Sequence, residues 1–290
     1  MKLNSVLLLC VGFCVNQAVA ADTKPTNGQS DNNYKSHPVD LFLFQPTKHP
    51  IGHWAPRDLK FEDVSFPSKD GTRIHGWLCA VKNPQAVILY AHGNAGNVTH
   101  RADRLRQLTS QLNVTVLVFD YRGYGKSEGR PTQDGMLADA RAARSFLAKK
   151  TSTRETDLVL LGRSLGGAVV IQLASELAPR GLIVESTFSS VKDVAQHLQP
   201  NLAFLVKSDQ LNSAEQIGKF TGPLFHSHGD ADRLIPYSQG QELYDNSESH
   251  PKRHIRIRGG RHNDPLPVQY NGELSKFITA LPKPKSESKR

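Results

Sequence analysis

Cysteine is nearly absent from this chain. Only three of its 290 residues are cysteine, and two of them, Cys10 and Cys14, lie in an apolar run near the N-terminus. That run, Val6 to Val15, follows Lys2 and precedes Ala18-Val19-Ala20, the order of charge, apolar core and small-residue cleavage site found in a secretory signal. Cleavage is expected after Ala20, which removes residues 1–20 and predicts a secreted or periplasmic protein. Cys79 then stands alone, so no internal disulfide can form in the oxidising compartment to which the signal leads, and stability must come from the core. Cys79 itself reads as a small buried hydrophobe within an apolar strand. Long hydrophobic runs are missing too. The N-terminal stretch is too short to span a bilayer, and no basic stop-transfer cluster follows it. A lipid anchor there would need a small residue before the cysteine, yet Leu9 and Phe13 hold those places.

Acidic residues are the minority charge: 27 Asp and Glu against 36 Lys and Arg give a net charge of +9. The excess is dispersed, densest at Lys252-Arg253-His254-Ile255-Arg256-Ile257-Arg258 and in the tail Lys283 to Arg290. No stacking aromatics interleave with it and no recognisable reading module carries it, which argues against nucleic-acid binding. The milder implication is attraction to anionic membrane surfaces or acidic substrates. Ile255 and Ile257 alternate with charges, as in a strand with an apolar inner face and a solvated charged outer one. The glycine-rich stretch near residue 93 lacks a P-loop lysine and spacing, and no cluster has metal-ligand spacing, so neither cofactor nor metal is expected. His226 and His228 alternate on a strand, as a buried pair or a hydrogen-bonding scaffold would. Asn97-Val98-Thr99 and Asn113-Val114-Thr115 match the glycosylation acceptor pattern, which has meaning only in a eukaryotic secretory route.

What the chain does contain is a regular alternation of strands and helices, without internal repeats. Residues 21–40 are polar and turn-rich and read as a flexible leader; a single domain is expected over 41–282, and residues 283–290 form a disordered basic tail. Phe61 to Phe66 and Arg73 to Val81 predict an antiparallel hairpin around Asp70-Gly71. Strands follow at Ala86 to Ala91, Val114 to Asp120, Asp157 to Gly162, Gly181 to Glu185, Pro223 to His228 and Ile255 to Arg258, with helices between them. Such spacing predicts an α/β fold: a mostly parallel twisted sheet with helices on both faces. Between Thr187 and Phe220 an insertion rich in Val191, Val194, Leu198, Leu202, Phe204, Leu205 and Val206 reads equally as one packing helix or as a small lid over an acyl pocket.

In a sheet of this kind, ligands gather beyond the carboxyl ends of the strands. One such loop is decisive. Leu158-Val159-Leu160-Leu161 runs into Gly162-Arg163-Ser164-Leu165-Gly166-Gly167 and then into the small-residue helix Ala168 to Ala174. A G-x-S-x-G turn between strand and helix forces its serine into a strained backbone and exposes it, and small neighbours are needed because strand and helix nearly touch there. Ser164 is therefore the candidate nucleophile. A serine hydroxyl needs an imidazole to take its proton and a carboxylate to orient that imidazole. His262, in a glycine-flanked loop after the last strand, is the candidate base. Asp232, before the helix-entering turn Arg233-Leu234-Ile235-Pro236, is the preferred acid, with Asp230 and Glu185 as alternatives. Asp264 reads as a surface or helix-capping residue. An oxyanion needs donors already in place: the backbone amide of Leu165 and, from the loop after the third strand, that of Asn94.

Five motifs in this order resemble the α/β-hydrolase superfamily: His92-Gly93-Asn94-Ala95-Gly96-Asn97, Asp120-Tyr121-Arg122-Gly123-Tyr124-Gly125-Lys126-Ser127, Gly162-Arg163-Ser164-Leu165-Gly166-Gly167, His228-Gly229-x-x-Asp232 and Gly260-x-His262. Within the superfamily the chain is most similar to small secreted or membrane-associated serine hydrolases related to eukaryotic depalmitoylating hydrolases, and to the catalytic part of prolyl oligopeptidases. The resemblance spans about Leu41 to Leu281 and implies the α/β-hydrolase fold and a Ser-Asp-His triad. It does not carry a substrate, because the fold hosts many reactions. The propeller of the peptidases is missing, and a cleavable signal stands where the depalmitoylating relatives have a lipid-attached cysteine cluster. The expected function is hydrolysis of carboxylic esters or thioesters, lipid-like acyl esters included, through an acyl-serine intermediate. A serine peptidase or amidase on the same residues is the alternative, and a non-catalytic binding protein the third reading.

Overall fold

The computed structural model of the chain describes residues 40–206 and 211–284. The signal-like residues 1–20, the leader up to residue 39 and the tail from 285 lie outside the described residues. In chain order the elements are α1 (Asp40–Leu43), β1 (Glu62–Pro67), β2 (Arg73–Cys79), β3 (Val87–Ala91), α2 (Ala102–Leu112), β4 (Thr115–Phe119), α3 (Gln133–Lys150), β5 (Val159–Arg163), α4 (Leu165–Glu176), β6 (Gly181–Glu185), α5 (Val191–Leu198), α6 (Ser213–Ile217), β7 (Leu224–Gly229), α7 (Tyr237–Asn246), β8 (Lys252–Ile257) and α8 (Val268–Ala280). Short 3-10 turns precede α2 and follow α5.

The strands form one sheet in the order β1-β2-β4-β3-β5-β6-β7-β8. β1 and β2 form the antiparallel hairpin, β2 also runs antiparallel to β4, and every pair from β4 to β8 is parallel. The central strands are apolar along their whole length because both of their faces are covered. Period-two alternation divides them cleanly. Ile88, Tyr90, Val116, Val118, Val159 and Leu161 pack with Leu105 and Leu108 of α2 and Leu274 and Phe277 of α8. Leu89, Leu117, Phe119 and Leu160 face Ala140, Ala143 and Leu147 of α3, Val169 and Leu173 of α4, and Leu243 of α7. Thr132 caps α3 by accepting from the Gly135 amide, and Ser190 caps α5 by accepting from Asp193, each satisfying an end donor that the helix itself cannot. Cys79 is fully buried in β2, and burial pushes its thiol up to about 12.

Two local readings are corrected. β8 begins at Lys252 rather than Ile255, because its backbone ladder with β7 runs from Leu224↔Lys252 to Gly229↔Ile257 and main-chain pairing needs no apolar side chain. Its charged side chains do reach solvent, with Arg253 53% and Arg256 59% exposed, and some of them also contact α7. Lys252 lies over the Tyr244 ring and donates to the Tyr244 and Ser247 carbonyls, Arg256 lies over Tyr237, and His254 hydrogen-bonds the Tyr237 hydroxyl at 2.7 Å. The aromatic side of α7 thus adds ring contacts to cations that remain in reach of water. Asn97 is also unsuited as a sugar acceptor: it is buried, and its amide donates to the Thr47 and Ile51 carbonyls.

Candidate active site

The turn between β5 and α4 is shaped by what its glycines leave out. A Cβ on Gly162 would stand 2.2 Å from the Gly166 carbonyl oxygen, and one on Gly166 would stand 1.9 Å from the Ala91 oxygen of β3. Strand, helix and neighbouring strand therefore approach to backbone contact, and only glycine fits. Ser164 between them has φ 54° and ψ −122°, a conformation that costs a residue with a side chain roughly 1–3 kcal/mol and persists only where its surroundings hold it. They do hold it. The Ser164 amide donates to the Glu185 carbonyl at 2.9 Å, and its carbonyl accepts from the Gly167 amide at 2.8 Å and the Thr187 hydroxyl at 2.6 Å.

Ser164, His262 and Asp232, up to 98 residues apart in sequence, meet in one hydrogen-bonded chain. His262 Nε2 is 3.0 Å from Ser164 Oγ, and its Nδ1 is 2.7 Å from Asp232 Oδ2. A carboxylate can only accept, so the ring proton sits on Nδ1 and Nε2 is left to accept from the serine hydroxyl. The other oxygen of Asp232 accepts from the Leu234 and Ile235 amides, both at 2.9 Å, which is how the turn after Asp232 fixes it. His228 Nε2 donates to the Ile235 carbonyl at 2.9 Å and stands 3.5 Å from Asp232 Oδ2. Burial alone would raise the Asp232 pKa; hydrogen bonds from His228 and His262, the His262 charge and the Ile235 amide outweigh it and hold the carboxyl well below the usual range.

The alternative acids are engaged elsewhere. Asp230 binds Arg256 and the Gly259 amide. Glu185 is buried in an ion pair with Arg104 at 2.6 Å and accepts from the Tyr270 hydroxyl at 2.8 Å. Asp264 does not cap α8, whose N-cap is Pro267; it accepts from the Arg261 amide and closes the turn that presents His262. The predicted oxyanion donors flank the serine. Leu165 is the first residue of α4, where an amide has no intrahelical acceptor. The loop carrying Asn94 passes so close that a Cβ on Gly93 would sit 3.4 Å from the Ser164 Cβ.

Several supporting roles are not given by the motifs themselves. Tyr121 donates to the His92 carbonyl and Tyr124 to Asn94 Oδ1, both at 2.8 Å, so the loop after β4 braces the loop after β3. That brace is itself anchored by fully buried Arg122, paired with Asp139 and Asp70. Arg101 donates to the Gly93 and Ala95 carbonyls, and Arg163 reaches from the elbow to the His262 carbonyl. The tyrosines and arginines are visible in the sequence, but nothing local says which loop they serve. His226 and His228 are both fully buried, as the alternation on β7 implies; His226 Nδ1 lies 2.8 Å from His254 Nδ1. Among the described residues no group of three His, Cys, Asp or Glu side chains could hold a metal ion, and no helix is long and apolar enough to cross a membrane.

Among the described residues, the segment after β6 holds three short helices rather than one: α5, the 3-10 turn Pro200–Leu205 and α6. Val191, Ala203 and Val206 are buried, whereas Leu198, Phe204 and Leu205 are exposed. His197 Nε2 ties α5 to the Arg233 carbonyl, in the turn that holds Asp232.

Known proteins carry the same plan. A family model described as serine aminopeptidase, S33, matches residues 82–211. The chain is 33% identical over 247 residues to YfhR of Escherichia coli (strain K12), covering 80% of this chain and 86% of that protein. It is also 33% identical over 207 residues to the alpha/beta hydrolase domain-containing protein WAV2 of Arabidopsis thaliana, covering 64% of this chain and 67% of WAV2. The chain belongs to the α/β-hydrolase superfamily. An esterase of Pyrococcus furiosus has the same fold, with a TM-score of 0.70 at 19% identity over 82% of this chain and 98% of the esterase. A shared fold does not carry a substrate, because one fold hosts many reactions.

Proposed function

We propose that this α/β-hydrolase is a secreted or periplasmic serine hydrolase that cleaves carboxylic esters or thioesters through an acyl-Ser164 intermediate. One observation carries the reading: a strained serine with its hydroxyl 3.0 Å from an imidazole whose far nitrogen is 2.7 Å from a buried carboxylate. As Ser164 Oγ bonds to the substrate carbonyl carbon, His262 Nε2 takes the hydroxyl proton and the carbonyl electron pair moves onto oxygen. The Leu165 and Asn94 amides receive that oxyanion, each such donor contributing on the order of a hundredfold to a thousandfold in turnover. The oxyanion collapses, the carbon–oxygen or carbon–sulfur bond breaks, and His262 returns the proton to the leaving group. Water then repeats the sequence to release the acid and free Ser164. Asp232, held ionised, keeps the imidazole in the required tautomer and offsets its positive charge.

The alternative, a peptidase or amidase on the same residues, draws support from the aminopeptidase name of the matching family model. Amide cleavage asks for protonation of a poorer leaving group and a pocket that grips an amine. The other acids at the carboxyl ends of β6 and β7, Glu185 and Asp230, are committed to Arg104 and Arg256, which favours the ester. Turnover of p-nitrophenyl esters of graded acyl length, set beside aminoacyl anilides, tests the choice. Esters are expected to be cleaved with the higher kcat/KM, and a preference for anilides would overturn the ester assignment. The N-terminal residue of protein recovered outside the cytoplasm is expected to be Ala21.

A further inference from the structure

The peptide joining Ser164 to Leu165 carries a proposed oxyanion donor at one end and a carbonyl at the other. Because a peptide is planar, whatever fixes the carbonyl also fixes the direction of the N–H. The Ser164 carbonyl accepts two hydrogen bonds. The one from the Gly167 amide closes the first turn of α4 and would form in any such helix. The other comes from outside, from the Thr187 hydroxyl at 2.6 Å.

Three independent features put Thr187 in that place. Ser186, the residue after β6, takes a left-handed φ of 48°, and its amide donates to the Ser227 carbonyl at 2.8 Å, pinning the chain where it turns back toward the elbow. Thr187 is fully buried. Gly167 opposite lacks the methyl that would stand 2.5 Å from the Thr187 Cβ and Oγ1. The second glycine after the nucleophile thus leaves room for this hydroxyl, while the first leaves room for the β3 backbone.

We infer that Thr187 is a positioning residue for the oxyanion site, clamping the Ser164–Leu165 peptide and strengthening its N–H as a donor. A carbonyl that accepts a short hydrogen bond polarises its own amide, and such chains of hydrogen bonds reinforce one another away from water. The effect is greatest when the oxyanion forms, so it stabilises the transition state more than the bound substrate. This inference rests on the serine-hydrolase reading and extends it to the residue that aims one of the donors.

The test compares Thr187→Val, which keeps the shape and removes the donor, with Thr187→Ser, which keeps the donor, in the mature protein. Steady-state hydrolysis of a p-nitrophenyl ester is measured beside inhibition by a trifluoromethyl ketone, whose adduct with Ser164 places an oxyanion at the site, and beside thermal unfolding. For Thr187→Val, kcat is expected to fall about tenfold, below the loss expected from deleting a donor outright. KM should stay near the wild-type value, ketone affinity should weaken in proportion to kcat, and Thr187→Ser should recover most of both. Unchanged kcat in Thr187→Val, a fall in kcat without loss of ketone affinity, or a Thr187→Ser variant as impaired as valine would each overturn the inference. Should Thr187→Val not fold, Thr187→Cys, with a weaker donor, carries the same expectation for kcat and ketone affinity. A wild-type protein with no fluorophosphonate adduct on Ser164 would remove the serine-hydrolase reading and this inference with it. A labelled, active wild type matched by Thr187→Val would remove the inference alone.

Discussion

The turn after β5 and the connection after β6 rise from the carboxyl ends of adjacent parallel strands, yet they are built on opposite terms. At the turn, backbones touch, two glycines exclude any methyl, and Ser164 is held through both its amide and its carbonyl. In the connection, Phe204 is 77% exposed and Leu205 54%, and the anchors are Val191, Ala203 and Val206 beneath. The first region tolerates almost no change in shape, while the second presents side chains that the core does not constrain. Geometry is overdetermined in the first region and open to change in the second.

The largest expected effect lies at the far end of the hydrogen-bonded chain. Asp232→Asn should lower kcat by roughly four orders of magnitude, because the amide favours the wrong imidazole tautomer. Asp230→Asn should leave kcat near wild type, since the Asp230 carboxylate accepts from Arg256 and the Gly259 amide rather than from His262. Stopped assays on the two purified variants decide it, and equal losses would reassign the acid. Next comes the scaffold of the turn. Gly166→Ala puts a methyl 1.9 Å from the Ala91 oxygen, so urea unfolding should register a loss of about 1–3 kcal/mol, the usual range for overpacking.

Acid should weaken the rigid side in a defined window. Burial, then the Arg101 charge, lower the His92 pKa to about 3, and burial with neighbouring His254 and His228 holds His226 well below its ordinary value. A histidine whose folded pKa lies below its unfolded one favours the folded state fully above the unfolded pKa of about 6.5 and loses that advantage as pH falls. The melting temperature should therefore decline from about pH 6.5 toward pH 3, and His92→Phe should flatten the decline. A slope identical to wild type would show that His92 does not titrate as its burial requires. The smallest effect on stability belongs to the connection. Phe204→Ser and Leu205→Ser should each change stability by less than about 0.5 kcal/mol, while the preferred ester chain length shifts. An unaltered chain-length profile would detach this surface from substrate choice.

Much of this contrast is legible in the sequence. The apolar runs of β3, β4 and β5 mark strands buried on both faces, and the glycines around Ser164 mark a place where only backbone fits, since both signals are local. The chain order of Ser164, Asp232 and His262 and their places after strands bring them to one edge once the sheet is parallel. Thr187 is different: an ordinary threonine whose partner is a carbonyl 23 residues earlier. The same holds for Tyr121 and Tyr124, which brace a loop about 30 residues upstream, and for Lys252 of β8, whose contact with Tyr244 of α7 is set by tertiary packing. Periodicity read β8 by its isoleucines and missed its first three residues, because a ladder of main-chain bonds carries no side-chain signature. The apolar content of residues 187–220 was evident; its division into three short helices depends on how it lies against the domain.

The central claim is that Ser164 is a nucleophile activated by His262. A fluorophosphonate forms a bond from phosphorus to the serine oxygen with loss of fluoride, and the adduct can be located by mass spectrometry of the digested protein. The account predicts one adduct, on Ser164, in the wild type, none in Ser164→Ala, and greatly slowed labelling in His262→Ala. Equal labelling of wild type and Ser164→Ala, or an adduct on another residue, would contradict it.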